Sequence, residues 1–128
     1  SCSPGETLRL GKSRIFAARS RTIQPKSAFR IQQSPLVQDV DARSIGHQLT
    51  IRSVRDGDRL QPLGLKGSKK VSDLLADRKV PFHLRKEIPI VACDEGIIWV
   101  AGLSIDEKFK VTEQTTTLLR MEIKDQPA

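Results

Sequence analysis

The apolar positions of this chain fall mainly at a spacing of two, the period of a strand with one buried and one wet face. Leu8, Leu10, Ile15 and Ala17 keep that spacing on either side of Gly11-Lys12 and predict a hairpin. Arg9, Lys12, Arg14, Arg19 and Arg21 occupy the positions between them or just past them, as a wet face requires. Pro25 interrupts the pattern, Ala28 to Gln32 predicts a short strand, and Pro35 starts a turn. Ser44 to Gln48 reads as a turn around Gly46, after which strand character returns at Leu49, Ile51 and Ser53.

Arg55-Asp56-Gly57-Asp58 is a turn, because Asp bonds its own downstream backbone and Gly accepts positive φ. Leu60 to Leu65 is predicted extended around Pro62, with Gly64 and Gly67 marking the next turns. The period then changes. Val71, Leu74 and Leu75 share one face of a helical wheel and Lys69, Lys70, Asp73 and Asp77 the opposite one, which predicts a helix from Ser68 to about Lys79 lying on a sheet. Gly67-Ser68 opens it with Ser68 as N-cap, and Arg78 falls on its apolar side, its stem packing and its guanidinium reaching out.

After Pro81, the segments Ile88 to Ala92 and Ile97 to Ala101, joined at Asp94-Glu95-Gly96, make the clearest hairpin in the sequence, with Trp99 packed in its core or on its face. Phe109 to Thr112 and Thr116 to Ile123 predict two more strands. Many short strands and one helix make the chain α+β, a compact sandwich-like domain. At 128 residues it fits one domain that buries about two-thirds of its unfolded surface. We divide it into a strand-rich lead-in over 1–39, a core over 40–123 and a frayed tail over 124–128.

Charge sharpens this picture. Net charge is +7, and residues 1–51 contribute +5, residues 52–86 contribute +6 and residues 87–128 contribute −4. A sign reversal along the chain points to a basic face, the electrostatic footprint of a nucleic-acid binder, although a merely solvated basic face fits the same numbers. The stretch from Arg52 to Lys86 concentrates that charge, with ten basic and four acidic residues held among Gly57, Gly64, Gly67, Pro62 and Pro81.

Catalytic chemistry is hard to find. His47 and His83 have no partners at metal-ligand spacing, so no metal site is expected. Cys2 and Cys93 read as reduced thiols, as in a cytoplasmic protein. GLKGSKK lacks the GxxxxGK[ST] spacing of a phosphate loop, leaving at most a nucleic-acid phosphate at the helix start. Asp56 and Asp58 suit turn and ion-pair roles better than acid/base work, and Lys69 and Lys70 each sit one helical turn from Asp73. No segment approaches the roughly 18 to 20 apolar residues of a membrane span.

Longer runs carry a resemblance. Arg55 with Gly57-Asp58-Arg59, Pro62-Leu63-Gly64, Gly67 with Lys69-Lys70, Asp77 to Pro81, Arg85 before Ile88-Pro89, Trp99-Val100-Ala101-Gly102 and Lys110-Val111-Thr112 with Thr115 occur in one order. Together, over Val40 to Ile123, they resemble the C-terminal region of bacterial tRNA(Ile)-lysidine synthetases. The resemblance implies a parent enzyme that uses ATP and Mg to activate the wobble cytidine of an isoleucine tRNA and then joins lysine to it. That chemistry belongs to an N-terminal catalytic domain with an SGGxDS-type loop, which these residues lack. The chain, which does not begin with Met, is therefore expected to be the non-catalytic C-terminal piece of a longer chain, without a cofactor of its own.

By the same resemblance, it grips the body or acceptor stem of the tRNA and packs against the catalytic domain. We assign RNA backbone contact to Arg55, Arg59, Lys66, Lys69, Lys70, Arg78, Lys79, Arg85 and Lys86, and turn shaping to Gly57, Asp58, Pro62, Gly64 and Gly67. Double-stranded RNA is read largely through phosphates and 2′-hydroxyls, which suits fixed cations. With four Phe and one Trp, a stacking platform for single strands is disfavoured. The family often has Arg where this chain has Phe82, and an aromatic and an Arg where it has Leu103 and Ser104. The other reading is a structural or interaction module whose basic face docks on an acidic partner or on the catalytic domain.

Overall fold

The computed structural model describes residues 7–10, 14–22, 33–34, 36–46 and 48–125. They form eleven strands and one α-helix: β1 (Thr7–Leu10), β2 (Arg14–Thr22), β3 (Gln33–Ser34), β4 (Val37–Asp41), β5 (Thr50–Arg52), β6 (Arg59–Leu60), β7 (Lys69–Lys70), α1 (Val71–Asp77), β8 (Ile90–Cys93), β9 (Gly96–Val100), β10 (Ser104–Ile105) and β11 (Thr117–Asp125). The strands make three sheets, ordered β1-β2-β11-β4-β3, β10-β9-β8-β5 and β6-β7. All described pairings are antiparallel.

The spacing-two pattern is what packs the two larger sheets together. Phe16 and Ala18 of β2, Val40 of β4 and Leu119, Met121 and Ile123 of β11 meet Val91, Ile98, Trp99 and Ile105 in one buried cluster. The other face of the four-stranded sheet presents Ile90, Ile97 and Val100 to Leu60, Val71, Leu74 and Leu75 of β6 and α1, a second cluster. The four-stranded sheet is thus a middle layer, buried on both faces. Burial on both faces explains why β8 and β9 read as nearly continuous apolar runs. Val91 pairs with Trp99 and Ala92 with Ile97, so Ile98 is the extra residue of a bulge. That bulge turns the consecutive Ile98 and Trp99 into the same cluster. The Trp99 indole Nε1–H has no hydrogen-bond partner there.

The hairpin around Gly11-Lys12 is present as β1–β2, with Thr7 opposite Ala17 and Leu10 opposite Arg14. β2 lies beside β11 in the sheet, so part of the segment before residue 40 contributes to the first cluster. The strand expected over 28–32 and His47, within the turn expected around Gly46, lie outside the described residues.

The structure corrects several element bounds. The helix starts at Val71 rather than Ser68, because Lys69 and Lys70 are drawn into β7 by pairing with Leu60 and Arg59. Lys70 takes the N-cap position with no side-chain cap, and Ser68 is not a cap. The segment from Leu60 to Leu65 is not extended throughout, because Leu65 N–H donates to Pro62 C=O at 3.1 Å and closes a turn. Residues Phe82–Glu87 form a 3-10 helix with no buried residue, which an apolar-period reading passes over. Glu107–Phe109 is a second 3-10 turn capped by Asp106, not the start of a strand. Lys124 and Asp125 continue β11 opposite Ile15 and Arg14, so the strand outruns the boundary drawn at Ile123.

Candidate nucleic-acid interface

The basic stretch is built on a turn that the sequence foresaw. Asp58 N–H donates to Arg55 C=O at 3.2 Å, and Gly57 between them has φ +88°. The Asp58 carboxylate accepts both Arg52 guanidinium nitrogens, at 2.7 and 3.0 Å, and the Arg55 amide at 2.8 Å. Burial alone would raise this carboxyl, but the bonds from Arg52 and Arg55 and their charges outweigh it and hold it below its ordinary value. The Asp58 carbonyl accepts from Val71 N–H at 2.9 Å, so the first amide of α1 is already satisfied. The Val71 amide is therefore not available to a phosphate at the helix start.

β6 and β7 then carry two cations face to face, since Arg59 pairs directly with Lys70. Arg59 is oriented by Ser68, whose Oγ accepts from its Nε at 3.0 Å. Arg52, Arg55 and Arg59 converge on a pocket of about 400 Å³ that reaches Thr50, Cys93 and Gly96. Of those three guanidiniums only Arg52 is matched by a carboxylate. Burial pushes the Cys93 thiol up, which disfavours its thiolate.

A second set of bonds ties this arm to the middle layer. Asp106, nearly buried, accepts Gln61 N–H at 3.0 Å with one oxygen and caps Lys108 N–H at 3.0 Å with the other. Glu107 N–H returns a bond to Gln61 C=O at 2.8 Å, and its carboxylate accepts Gly64 N–H at 3.1 Å. Lys110 and that Gly64 amide hold the Glu107 carboxyl below its usual value. Pro62, buried, and Gly64, at φ +80°, shape the turn, and Gly67 at φ +85° leads into β7.

The remaining cations fall on the other side of the arm. Lys69 is ion-paired with Asp77, not one helical turn away with Asp73, because it sits on a strand. Lys69, Asp77 and Arg78 border a groove of about 440 Å³ floored by Leu63, Leu65 and Leu103. Arg78 and Lys79 also edge a pocket of about 400 Å³ with Arg14, whose Nη2 donates to Glu87 C=O at 3.0 Å. Arg85 Nε donates to Val80 C=O at 3.2 Å. Lys66 and Lys86 are exposed. The nine assigned cations are therefore not one patch. Arg55 and Arg59 line one pocket with Arg59 opposite Lys70, Arg78 and Lys79 line another with Arg85 bonded to Val80, Lys69 is paired with Asp77, and Lys66 and Lys86 line neither of those pockets.

Sequence reasoning left Arg52 and Arg14 out of the site. The ion-pair role read for Asp58 did not single out Arg52 among the nearby arginines, and Arg14 is 73 residues from Glu87. Among the described residues no three of His, Cys, Asp and Glu lie together as a metal-holding set. No helix among them is long and apolar enough to cross a membrane.

This strand-rich, three-sheet fold with one main helix has a solved counterpart. A crystal structure of a TILS C-terminal domain superposes with TM-score 0.75 at 24% identity, covering 96% of this chain and 92% of that one. The sequence model of the TilS substrate C-terminal domain family matches residues 49–123, and the chain belongs to that family. Among curated relatives, the tRNA(Ile)-lysidine synthase of Clostridium tetani is 42% identical over 83 residues, 65% of this chain and 18% of the relative. That of Symbiobacterium thermophilum is 32% identical over 124 residues, 97% of this chain and 25% of the relative. The chain thus spans a quarter or less of the length of these relatives.

Proposed function

We propose that this chain is the part of a tRNA(Ile)-lysidine synthase that holds the tRNA, not the part that performs the chemistry. In this reading a catalytic domain of the same polypeptide, working in the cytoplasm, uses ATP, Mg and lysine to convert the wobble cytidine of an isoleucine tRNA to lysidine. The present chain grips the body or acceptor stem of that tRNA. The observation that supports it is Arg59 standing opposite Lys70 on the two-stranded arm, with Arg55 from the turn before it lining the same pocket as Arg59, all three without carboxylate partners among the described residues. Fixed guanidiniums and an ammonium spaced along such an arm suit successive phosphates, which contribute affinity and position without reading sequence.

The test is tRNA binding by the chain across a range of salt. Wild type should lose affinity steeply as salt rises, and the triple change Arg55→Ala, Arg59→Ala, Lys70→Ala should flatten that slope by about 0.7 to 0.9 for each phosphate contact removed. An unchanged slope takes this arm out of the interface. Heparin competing as well as tRNA would instead favour generic docking on an acidic partner. The chain alone, given ATP, Mg, lysine and tRNA, should form no lysidine.

A further inference from the structure

We infer that Phe82, backed by Arg85, is a stacking platform for one nucleobase of the bound RNA, a role that rests on the RNA-holding reading above. Phe82 is 81% exposed, while the next most exposed large apolar residue among those described, Leu65, is 49% exposed. Water surrounds a ring that gains only when a partner covers it. The ring does not line the neighbouring groove of Leu36, Leu84 and Pro89, so it is not part of a slot for an apolar segment.

One contact on the ring is already taken. The Arg85 guanidinium lies 5.4 Å from its centroid and is held there by the bond from Arg85 Nε to Val80 C=O. Pro81 fixes the backbone entering the 3-10 helix, and no residue of that helix is buried, so the ring stands clear of the body. The chain that flanks it is mostly cationic, with Arg78 and Lys79 before it and Arg85 and Lys86 after it, against the carboxylates of Asp77, which is paired with Lys69, and Glu87. Lys79 occupies this rim at φ +57°, a conformation that ordinarily selects glycine. An open aromatic face with cations on both sides along the chain matches a flat base flanked by phosphates. The small number of aromatic residues spoke against stacking in the sequence, but one ring outside the core is enough for one base.

The base can be unpaired or belong to a terminal pair, and two RNA hairpins of identical stem, one blunt and one with a short single-stranded 3′ tail, separate these sources. Phe82→Ala should weaken binding about five- to a hundred-fold, the worth of one stacked base, while leaving the salt slope unchanged because no charge is lost. Loss confined to the tailed hairpin assigns an unpaired base, and equal loss on both assigns a terminal pair. Phe82→Trp should keep the affinity and Phe82→Leu should not. Since Phe82 buries almost nothing, urea midpoints of all variants should match wild type. If wild type binds the hairpins and Phe82→Ala or Phe82→Leu binds them equally well, the platform is overturned and the RNA-holding reading stands. If wild type binds neither, both fall together.

Discussion

Asp58 grips Arg52 through both carboxylate oxygens, at 2.7 and 3.0 Å, and through the same group fixes the amide of Arg55. One side chain thereby closes the turn that launches the arm and consumes the charge of Arg52, leaving Arg55 and Arg59 as the cations that face outward.

This arrangement has a pH signature. The folded Asp58 carboxyl titrates below its ordinary value of 3.8. Its contribution is therefore complete above the unfolded value and drains away as pH falls through the folded one. Stability measured by urea at neutral pH and again near pH 3 should drop more for wild type than for Asp58→Asn. At neutral pH the substitution should cost about 1 to 3 kcal/mol, the range for hydrogen bonds to charged groups.

Asp106→Ala should cost a further amount of the same order, about 1 to 3 kcal/mol, because it strands two amides, those of Gln61 and Lys108. The loss should be local. Hydrogen exchange at Gln61 and Lys108 should accelerate while the amides of β9 and β11 keep most of their protection.

Lys79 ends α1 in a left-handed conformation, with its amide bonded to Ala76 C=O at 2.9 Å and that of Val80 to Leu75 C=O at 3.0 Å. Glycine is the relaxed occupant of that position. Lys79→Gly should raise stability by about 1 kcal/mol, read as a higher melting temperature, while lowering tRNA affinity and the salt slope. A variant that is more stable and binds tRNA unchanged would show that the lysine serves neither end.

Lys69 and Lys70 are adjacent in sequence and unequal in structure. Lys69 is neutralised by Asp77, whereas Lys70 stands opposite Arg59. Lys70→Ala should reduce the salt slope of tRNA binding by close to one phosphate's worth, and Lys69→Ala by clearly less. Asp77→Asn should restore part of the difference by freeing the Lys69 charge.

Much of the architecture was legible in the chain. Strong local signals, such as Asp94-Glu95-Gly96 between two β-branched runs and the alternation of Leu119, Met121 and Ile123, became strands at almost the expected bounds. What escaped was decided by distant partners. Gly67-Ser68 before an apolar period is a sound helix start, yet the backbone of Arg59 and Leu60 offered Lys69 and Lys70 a ladder, and the ladder won. Phe109 looked like a strand residue because it is apolar and buried, but Asp106 capping Lys108 coiled the backbone there. The turn residues of the candidate site could be read one by one, since their chemistry is local. Which lysine would meet a carboxylate could not, because Asp77 approaches Lys69 only after α1 has docked.

β11 lies between β2 and β4, pairing with both, although it is the last of the described strands to be made. During synthesis the inner edges of those two strands must wait, unpaired, until Thr117 to Asp125 has left the ribosome. The five-stranded sheet is therefore closed late and across long sequence separations, which slows folding and leaves open edges for other nascent chains to find. Chains truncated before Thr117 should aggregate, not merely lose a strand.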